Sequence, residues 1–285
     1  MDKLFLPKKR KGAMQAQIYQ VDSFSDKPFR GNPAGVCLLE KPAPEKWMQQ
    51  LAMEMNLSET AFCYPLENGY RLRWFTPIAE VELCGHATLA TAHVLFETGA
   101  VKPDQMARFQ TMSGWLTVTM KNGRLQMDFP ATPAVPCNLS PELPKALGLT
   151  HILWSGKNEV DYLIEVGSEE EVVGLRPDFR QLAAATQRGV IVTARSVNPD
   201  YDFISRFFAP AIGIDEDPVT GSAHCTLGPY WMNKLKKSVF TAYQASRRGG
   251  IVLVEVKEDR ILLGGNAVTI FAAQFSQLVR ETMVP

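Results

Sequence analysis

The sequence predicts an α+β protein of two pseudo-symmetric lobes from internal duplication, each a curved, barrel-like sheet around one central helix. Three observations carry this: motifs that recur at a nearly constant offset, the same order of strand and helix signals in each copy, and a proline-dense stretch between them. Arg73-Trp74-Phe75-Thr76-Pro77 recurs as Arg206-Phe207-Phe208-Ala209-Pro210, 133 residues on. Gly85-His86-Ala87 recurs as Gly221-Ser222-Ala223, 136 residues on, and the offset then holds. Gly114-Trp115-Leu116-Thr117-Val118 matches Gly250-Ile251-Val252-Leu253-Val254, and Asn122-Gly123-Arg124 falls on Glu258-Asp259-Arg260. Upstream, Trp47-Met48-Gln49-Gln50-Leu51 resembles Phe179-Arg180-Gln181-Leu182. Each match is weak alone, but their common order makes chance a poor explanation.

Within the first copy, Trp47, Met48, Leu51, Ala52 and Met55 recur at helical spacing and predict a short amphipathic helix. Strand signals follow over residues 58–64 and 72–75. Residues 87–96 are rich in Ala and Leu and stop before Gly99, a residue suited to end a helix in the left-handed conformation. So few polar residues predict a helix buried inside its lobe. Residues 115–120 and 125–129 flank Asn122-Gly123, a strong hairpin signal, and the second copy repeats this with residues 251–256 and 261–263. Between the copies stand Pro130, Pro133, Pro136, Pro141 and Pro144. Such density is expected to continue neither a central strand nor a helix, which sets the lobes at 14–130 and 131–285. The last strand is expected to pack back on the N-terminal lobe.

Composition bounds the function. The 285 residues suit about two domains at roughly 150 each, and 46% hydrophobic content excludes wholesale disorder. Thirty basic residues balance thirty acidic ones, so nothing electrostatic points to nucleic acid. Residues 1–12 hold Lys3, Lys8, Lys9, Arg10 and Lys11 against Asp2 alone, which leaves 25 basic and 29 acidic residues, a net −4, for the rest. Met14 begins the first plausible strand. Residues 1–13 are therefore expected to stand outside the fold, as a cloning remnant, a misassigned start or a solvated arm. No stretch approaches the ~20 apolar residues of a membrane helix, and Leu4-Phe5-Leu6 before Pro7 is too short for a secretion signal. Cys37, Cys63, Cys84, Cys137 and Cys225 are odd in number and form no CxxC pair, which fits a reducing cytoplasm.

Duplicated lobes commonly face each other around a small-molecule pocket. The segments entering the two central helices are Cys84-Gly85-His86-Ala87-Thr88 and Asp215-Glu216-Asp217-Pro218-Val219-Thr220-Gly221-Ser222-Ala223-His224. Each has a glycine just where a helix begins, and the free backbone N–H groups there favour an anion such as a carboxylate. The bland alternative makes Thr88, Thr220 or Ser222 a helix cap, His86 a satisfied histidine and Asp217-Pro218 a turn. Glu59 sits among Leu57, Ala61 and Phe62, where apolar surroundings would raise its pKa toward that of a general acid/base. Spacing alone favours the plainer reading, that strand alternation points Glu59 to solvent. The matching stretch, Gly189-Val190-Ile191-Val192-Thr193, has no carboxylate, so Glu59 would act as a single base.

Arg30-Gly31-Asn32-Pro33-Ala34-Gly35-Val36, Asn56-Leu57-Ser58-Glu59-Thr60-Ala61-Phe62 and the two helix-entrance segments together resemble the phenazine-biosynthesis PhzF-like isomerase family. The resemblance runs from about Met14 to the end. It implies the diaminopimelate-epimerase-like fold, with the active site between the lobes and no cofactor. It also implies that Glu59 is the catalytic acid/base, with His86, Asp217 and Ser222 holding or assisting the substrate. Gly85, Gly221 and Thr220 then belong to the cradle for its carboxylate, and Asn32 to a structural or pocket-lining loop. Only the phenazine-pathway member implies a defined substrate, a dihydro-hydroxyanthranilate. The expected partner is a small carboxylic acid, with a homodimer as the expected assembly.

Two other functions compete. Amino-acid racemases and epimerases of the diaminopimelate epimerase type use two opposed thiols, but the position matching Cys84 is Thr220, whose hydroxyl cannot replace a thiolate. A non-catalytic binding or interaction protein could share the scaffold. His86, His93, His151 and His224 fall in no metal-ligand grouping by spacing, so no metal is expected. Neither a GxGxxG nor a P-loop pattern supports a nucleotide.

Overall fold

The computed structural model describes residues 16–283, so the basic leader and the strand start expected at Met14 lie outside the described residues. The first half runs β1 (Gln17–Ser23), β2 (Asn32–Leu38), α1 (Glu45–Met55), β3 (Glu59–Leu66), β4 (Gly69–Phe75) and β5 (Glu80–Val81). It continues with α2 (Gly85–Glu97), β6 (Ala107–Thr111), β7 (Gly114–Lys121) and β8 (Arg124–Pro130). β9 (Val135–Pro136) and α3 (Glu142–Leu147) connect to a second half of the same plan. That half begins with β10 (Trp154–Lys157), β11 (Asp161–Glu165), α4 (Glu169–Gly174), α5 (Phe179–Ala185) and β12 (Gly189–Arg195). Then come β13 (Phe203–Ala209), β14 (Ile214–Asp217), α6 (Gly221–Leu235), β15 (Val239–Gln244), β16 (Gly250–Lys257) and β17 (Arg260–Gly265). β18 (Ala267–Gln274) and α7 (Gln277–Glu281) follow.

Pairing repeats strand for strand. β2 is parallel to β3 as β11 is to β12, and β4 is parallel to β6 as β13 is to β15. The hairpin partners β6–β7–β8 and β15–β16–β17 are antiparallel in both halves. The halves meet where β8 pairs antiparallel with β17. There Met127 faces Leu263, its own counterpart at the 136-residue offset, so a pseudo-twofold axis passes between them. Beyond this crossing the halves exchange strands: β9 pairs with β10, and β18 pairs with β1 along its whole length. The result is one curved mixed sheet of eighteen strands, with few helices.

Local chemistry explains the elements. Asn122 (φ 53°) and Gly123 (φ 75°) both take the left-handed conformation that a two-residue hairpin turn requires, closing Lys121 against Arg124. In α2 the buried hydroxyls of Thr88 and Thr91 donate to the carbonyls of Cys84 and Ala87, which lets a helix with polar residues sit inside a lobe. α2 packs against β1, β2, β3, β8 and β18, whereas α6 packs against β16, β17 and α2 itself. The proline stretch needs correction, because Pro144 lies inside α3 and Pro136 inside β9. Pro144 is in a first turn, where its missing N–H would have had no helical acceptor, and β9 is a two-residue edge.

The repeat extends to an ion pair not legible in the motif alone. Arg73 Nε lies 2.6 Å from Glu80 Oε1, and Arg206 Nε lies 2.6 Å from Glu216 Oε1. Each guanidinium also stacks over the phenylalanine two residues on, Phe75 or Phe208. Arg206 donates in addition to the carbonyl of Leu175, and its side chain is 9% exposed. Removing it strands Glu216 and that carbonyl. Arg206→Met is expected to lower stability by about 3 kcal/mol, the loss typical of one partner of a buried pair. Arg260→Met, whose pair with Asp128 is 44%/46% exposed, should lose under ~1 kcal/mol. Urea midpoints at unchanged m-value check this, and equal losses would contradict it.

Candidate active site

β3 is buried on both faces over residues 60–63, so alternation does not choose between core and solvent as it would on a half-exposed strand. Ala61 and Cys63 face the core around α2, and Phe62 faces the cluster of α1. Glu59 shares the parity of Ala61 and Cys63 and therefore points toward the start of α2. The expectation that it faces solvent is overturned: its side chain is 13% exposed, and Oε2 lies 3.2 Å from His86 Nε2.

Glu59, Gly85, His86, Asp217, Thr220, Gly221 and Ser222 line one cavity of about 250 Å³. Leu83, Phe129, Ile214 and Cys225 form its apolar wall. At both helix entrances, Cys84 and Thr220 stand at the N-cap in extended conformation without capping through their side chains. The first-turn N–H groups that follow have no acceptor within the helix. A Cβ added to Gly85 would meet only Phe129 at 3.9 Å, and one added to Gly221 only Leu263 at 3.6 Å. Neither glycine has a positive φ. Packing and backbone geometry thus tolerate a larger residue at both places.

Asp217 is held from behind. Asn32 Nδ2 donates to its Oδ1 at 2.8 Å and to the Val219 carbonyl at 2.9 Å, and the Thr220 hydroxyl donates to its Oδ2. Asn32 is fully buried and is not among the residues that line the cavity. Thr220 does line it, but its hydroxyl is committed to Asp217. It caps no helix. Ser222 is exposed at the cavity. His224 is buried away from it, its Nδ1–H donating to the Thr220 carbonyl at 2.8 Å, and burial lowers its pKa to about 4. Gln244, which no sequence signal marks, supports the same segment. Its Nε2 donates to the Asp217 carbonyl at 2.8 Å, and its Oε1 accepts from Thr220 N at 2.9 Å. Such a residue is recognisable only once β15 is placed beside the helix entrance.

Electrostatics reverse one expectation. Burial pushes the Glu59 carboxyl up, as anticipated, but His86 beside it prevails and the pKa falls below the ordinary value. Burial disfavours a charged His86 ring, yet Cys84 and Glu59 outweigh it and hold the pKa well above an ordinary histidine's. Burial raises Asp217, against the pull of His86 and its hydrogen bonds. Ligand atoms of Glu59, Cys84 and His86 all lie within 4.8 Å of one another, a grouping that spacing along the chain does not show.

The fold is one that epimerases and racemases also use, and curated relatives named as isomerases, one of them 50% identical, make the chain an enzyme of that class. A predicted epimerase from Pseudomonas aeruginosa superposes with a TM-score of 0.71 at 20% identity, and a probable proline racemase from Agrobacterium radiobacter with 0.61 at 12%, likenesses of fold alone. The phenazine biosynthesis-like protein family matches residues 21–273. An uncharacterized isomerase of Halalkalibacterium halodurans is 50% identical over 262 residues, 92% of this chain and 98% of its own. A crystal structure of a PhzF-family phenazine biosynthesis protein from Enterococcus faecalis is 44% identical, with a TM-score of 0.88 over 92% of this chain and 100% of that one. The chain belongs to the phenazine biosynthesis-like, or PhzF-like, family. Among the described residues no helix is long and apolar enough to cross a membrane.

The Glu59–His86 pair contributes to stability from two sides. The lowered Glu59 pKa gives a contribution present above about 4.5 and lost on acidification, and the raised His86 pKa gives one complete below about 6.5 and lost as pH rises through the folded value. In nitrogen-15 NMR titrations, the His86 ring should deprotonate well above the ordinary histidine range. In Glu59→Gln that midpoint should move down, since burial then acts with one carboxylate fewer against it. An unmoved midpoint would refute the pairing.

Proposed function

We propose that the chain is a cofactor-independent isomerase that moves a proton between carbons of a small carboxylic acid, with Glu59 as its one acid/base. The observation that carries this is the placing of the Glu59–His86 pair in the cavity that two unobstructed helix entrances share. The substrate carboxylate lies against the N–H groups following Cys84 and Thr220, where both helix dipoles favour negative charge. Glu59, kept ionised by His86, takes a proton from a carbon near that carboxylate and returns it to another. His86 remains cationic throughout and offsets the charge that develops on the substrate. Asp217, oriented by Asn32 and Thr220, accepts a hydrogen bond from the substrate, and Ser222 offers a hydroxyl at the rim. Closure around the ligand would exclude water and raise Glu59 toward the pKa a proton shuttle needs.

Two-thiol racemisation lacks its second thiol, for Thr220 occupies the N-cap position matching Cys84. A cytoplasmic setting is supported by five free cysteines among the described residues. Deuterium incorporation into a panel of small unsaturated and cyclic acids tests the chemistry. Glu59→Gln should slow exchange by ~10²–10⁴-fold while ligands still bind. Full exchange in that variant removes the assignment, and binding without exchange in the wild type would make the protein a binder. The cradle has its own test. Gly85→Ala and Gly221→Ala should keep Tm nearly unchanged yet raise KM by about tenfold, roughly 1.4 kcal/mol, with kcat less affected. Unchanged affinity would mean the glycines serve no ligand.

A further inference from the structure

The segment joining the two halves is held by hydrogen bonds more than by burial, and a proline in α6 frees the acceptor for one of them. At the 136-residue offset, residues 131–136 match the start of β18. β18 pairs with β1 along its whole length, whereas only Val135 and Pro136 of this linker pair with β10. Pro133 and Pro136 lack the N–H that a longer ladder would use, and none of residues 131–136 is fully buried. Instead, Ala131 N donates to the Asp259 carbonyl at 2.8 Å, and Thr132 N to the Cys225 carbonyl at 3.1 Å. Cys225 lies inside α6, where its carbonyl would ordinarily accept from the residue four places on. That residue is Pro229, which has no N–H and whose ring crowds this carbonyl. The matching residue of α2 is His93, which keeps its N–H. Thr226 also turns its buried hydroxyl outward, 3.0 Å from Thr132 Oγ1, and accepts from Asn158 Nδ2 at 2.8 Å. Thr88 and Thr91 of α2 return theirs to their own helix.

The docked linker is a wall of the active cavity. Pro130 and Thr132 line the cavity that holds Glu59 and Asp217, and Ala131, Thr132, Pro133 and Val135 line a second cavity of about 470 Å³. Thr132 belongs to both, so the wall there is one residue thick. The inner cavity, about 250 Å³, falls below the roughly 300–1,000 Å³ of pockets for drug-sized ligands. We infer that Pro229 is a positioning residue: by freeing the Cys225 carbonyl it docks the linker on α6, and the docked linker restricts the active cavity to acids the size of a single ring. Undocked, the linker would let the two cavities join. The dock stands on α6 and the linker alone, whereas the size limit rests on the reading of the inner cavity as an acid-binding site.

Pro229→Ala gives α6 the missing N–H, which competes with Thr132 for the Cys225 carbonyl. In amide hydrogen exchange of the full chain, read by NMR, Thr132 should exchange at least about tenfold faster in this variant, with the amides of β16 unchanged. Unchanged exchange at Thr132 overturns the role of Pro229. If Pro229→Ala does not fold, Thr226→Val decides, since it removes the docking hydroxyl and leaves the helix backbone alone; unchanged exchange there overturns the dock. Calorimetry with benzoate and biphenyl-4-carboxylate reads the size limit. The wild type should prefer benzoate by about 100-fold or more, and Pro229→Ala should narrow that preference at least about tenfold. An unchanged preference beside a freed Thr132 amide upholds the dock and overturns the size limit. Failure of both acids to bind the wild type overturns the size limit together with the acid-binding reading, and the amide result still decides the dock.

Discussion

The antiparallel ladder between β8 and β17 is the constraint on which the site depends. Because Met127 pairs with its own counterpart Leu263, the two halves are related by a rotation about that point. Any feature at the start of α2 is then reproduced at the start of α6, facing the same space. Side-chain burial fixes this register, since a slip of one residue would turn the inward side chains of the slipped strand outward. The exchange of β9 and β18 adds a second lock, since each half completes the edge of the other. Neither half closes its sheet alone.

Upon this symmetric scaffold the chemistry is asymmetric. Gly85 and Gly221 match, and so do the helix starts without side-chain caps, so the proposed anion cradle draws on a feature common to both copies. Cys84 against Thr220 and His86 against Ser222 have diverged. Each half keeps one carboxylate that the other lacks: Glu59 opens β3, and Asp217 ends β14 at the place where the first copy has Val81. Matched helix starts with unlike groups beside them suit the proposed reaction, which removes a proton and returns it elsewhere. It suits two-base inversion of a single centre less well. The surrounding network is spent on Asp217, which Asn32, Thr220 and Gln244 hold from three elements. Glu59 is held by side chains of one element only, His86 and Cys84 at the start of α2.

The amino-acid sequence by itself determined the repeat, the element types and the segments that build the site. Those are local properties: period, turn chemistry as at Asn122-Gly123, and order along the chain. The helix starts at Gly85 and Gly221 were legible because glycine beside polar residues at a helix entrance is a local pattern too. Tertiary structure alone decided what surrounds each group. Alternation shows which residues of β3 share a face but not which face is inward, and with both faces covered only the position of α2 settles where Glu59 points. Its pKa followed from His86, 27 residues away in sequence and 3.2 Å away in space. The hydrogen bonds of Asn32 to Asp217, the part played by Gln244 and the Glu59–Cys84–His86 grouping were not visible at all. Electrostatic and coordinative effects act through space over a few ångströms, and chain spacing carries no record of them.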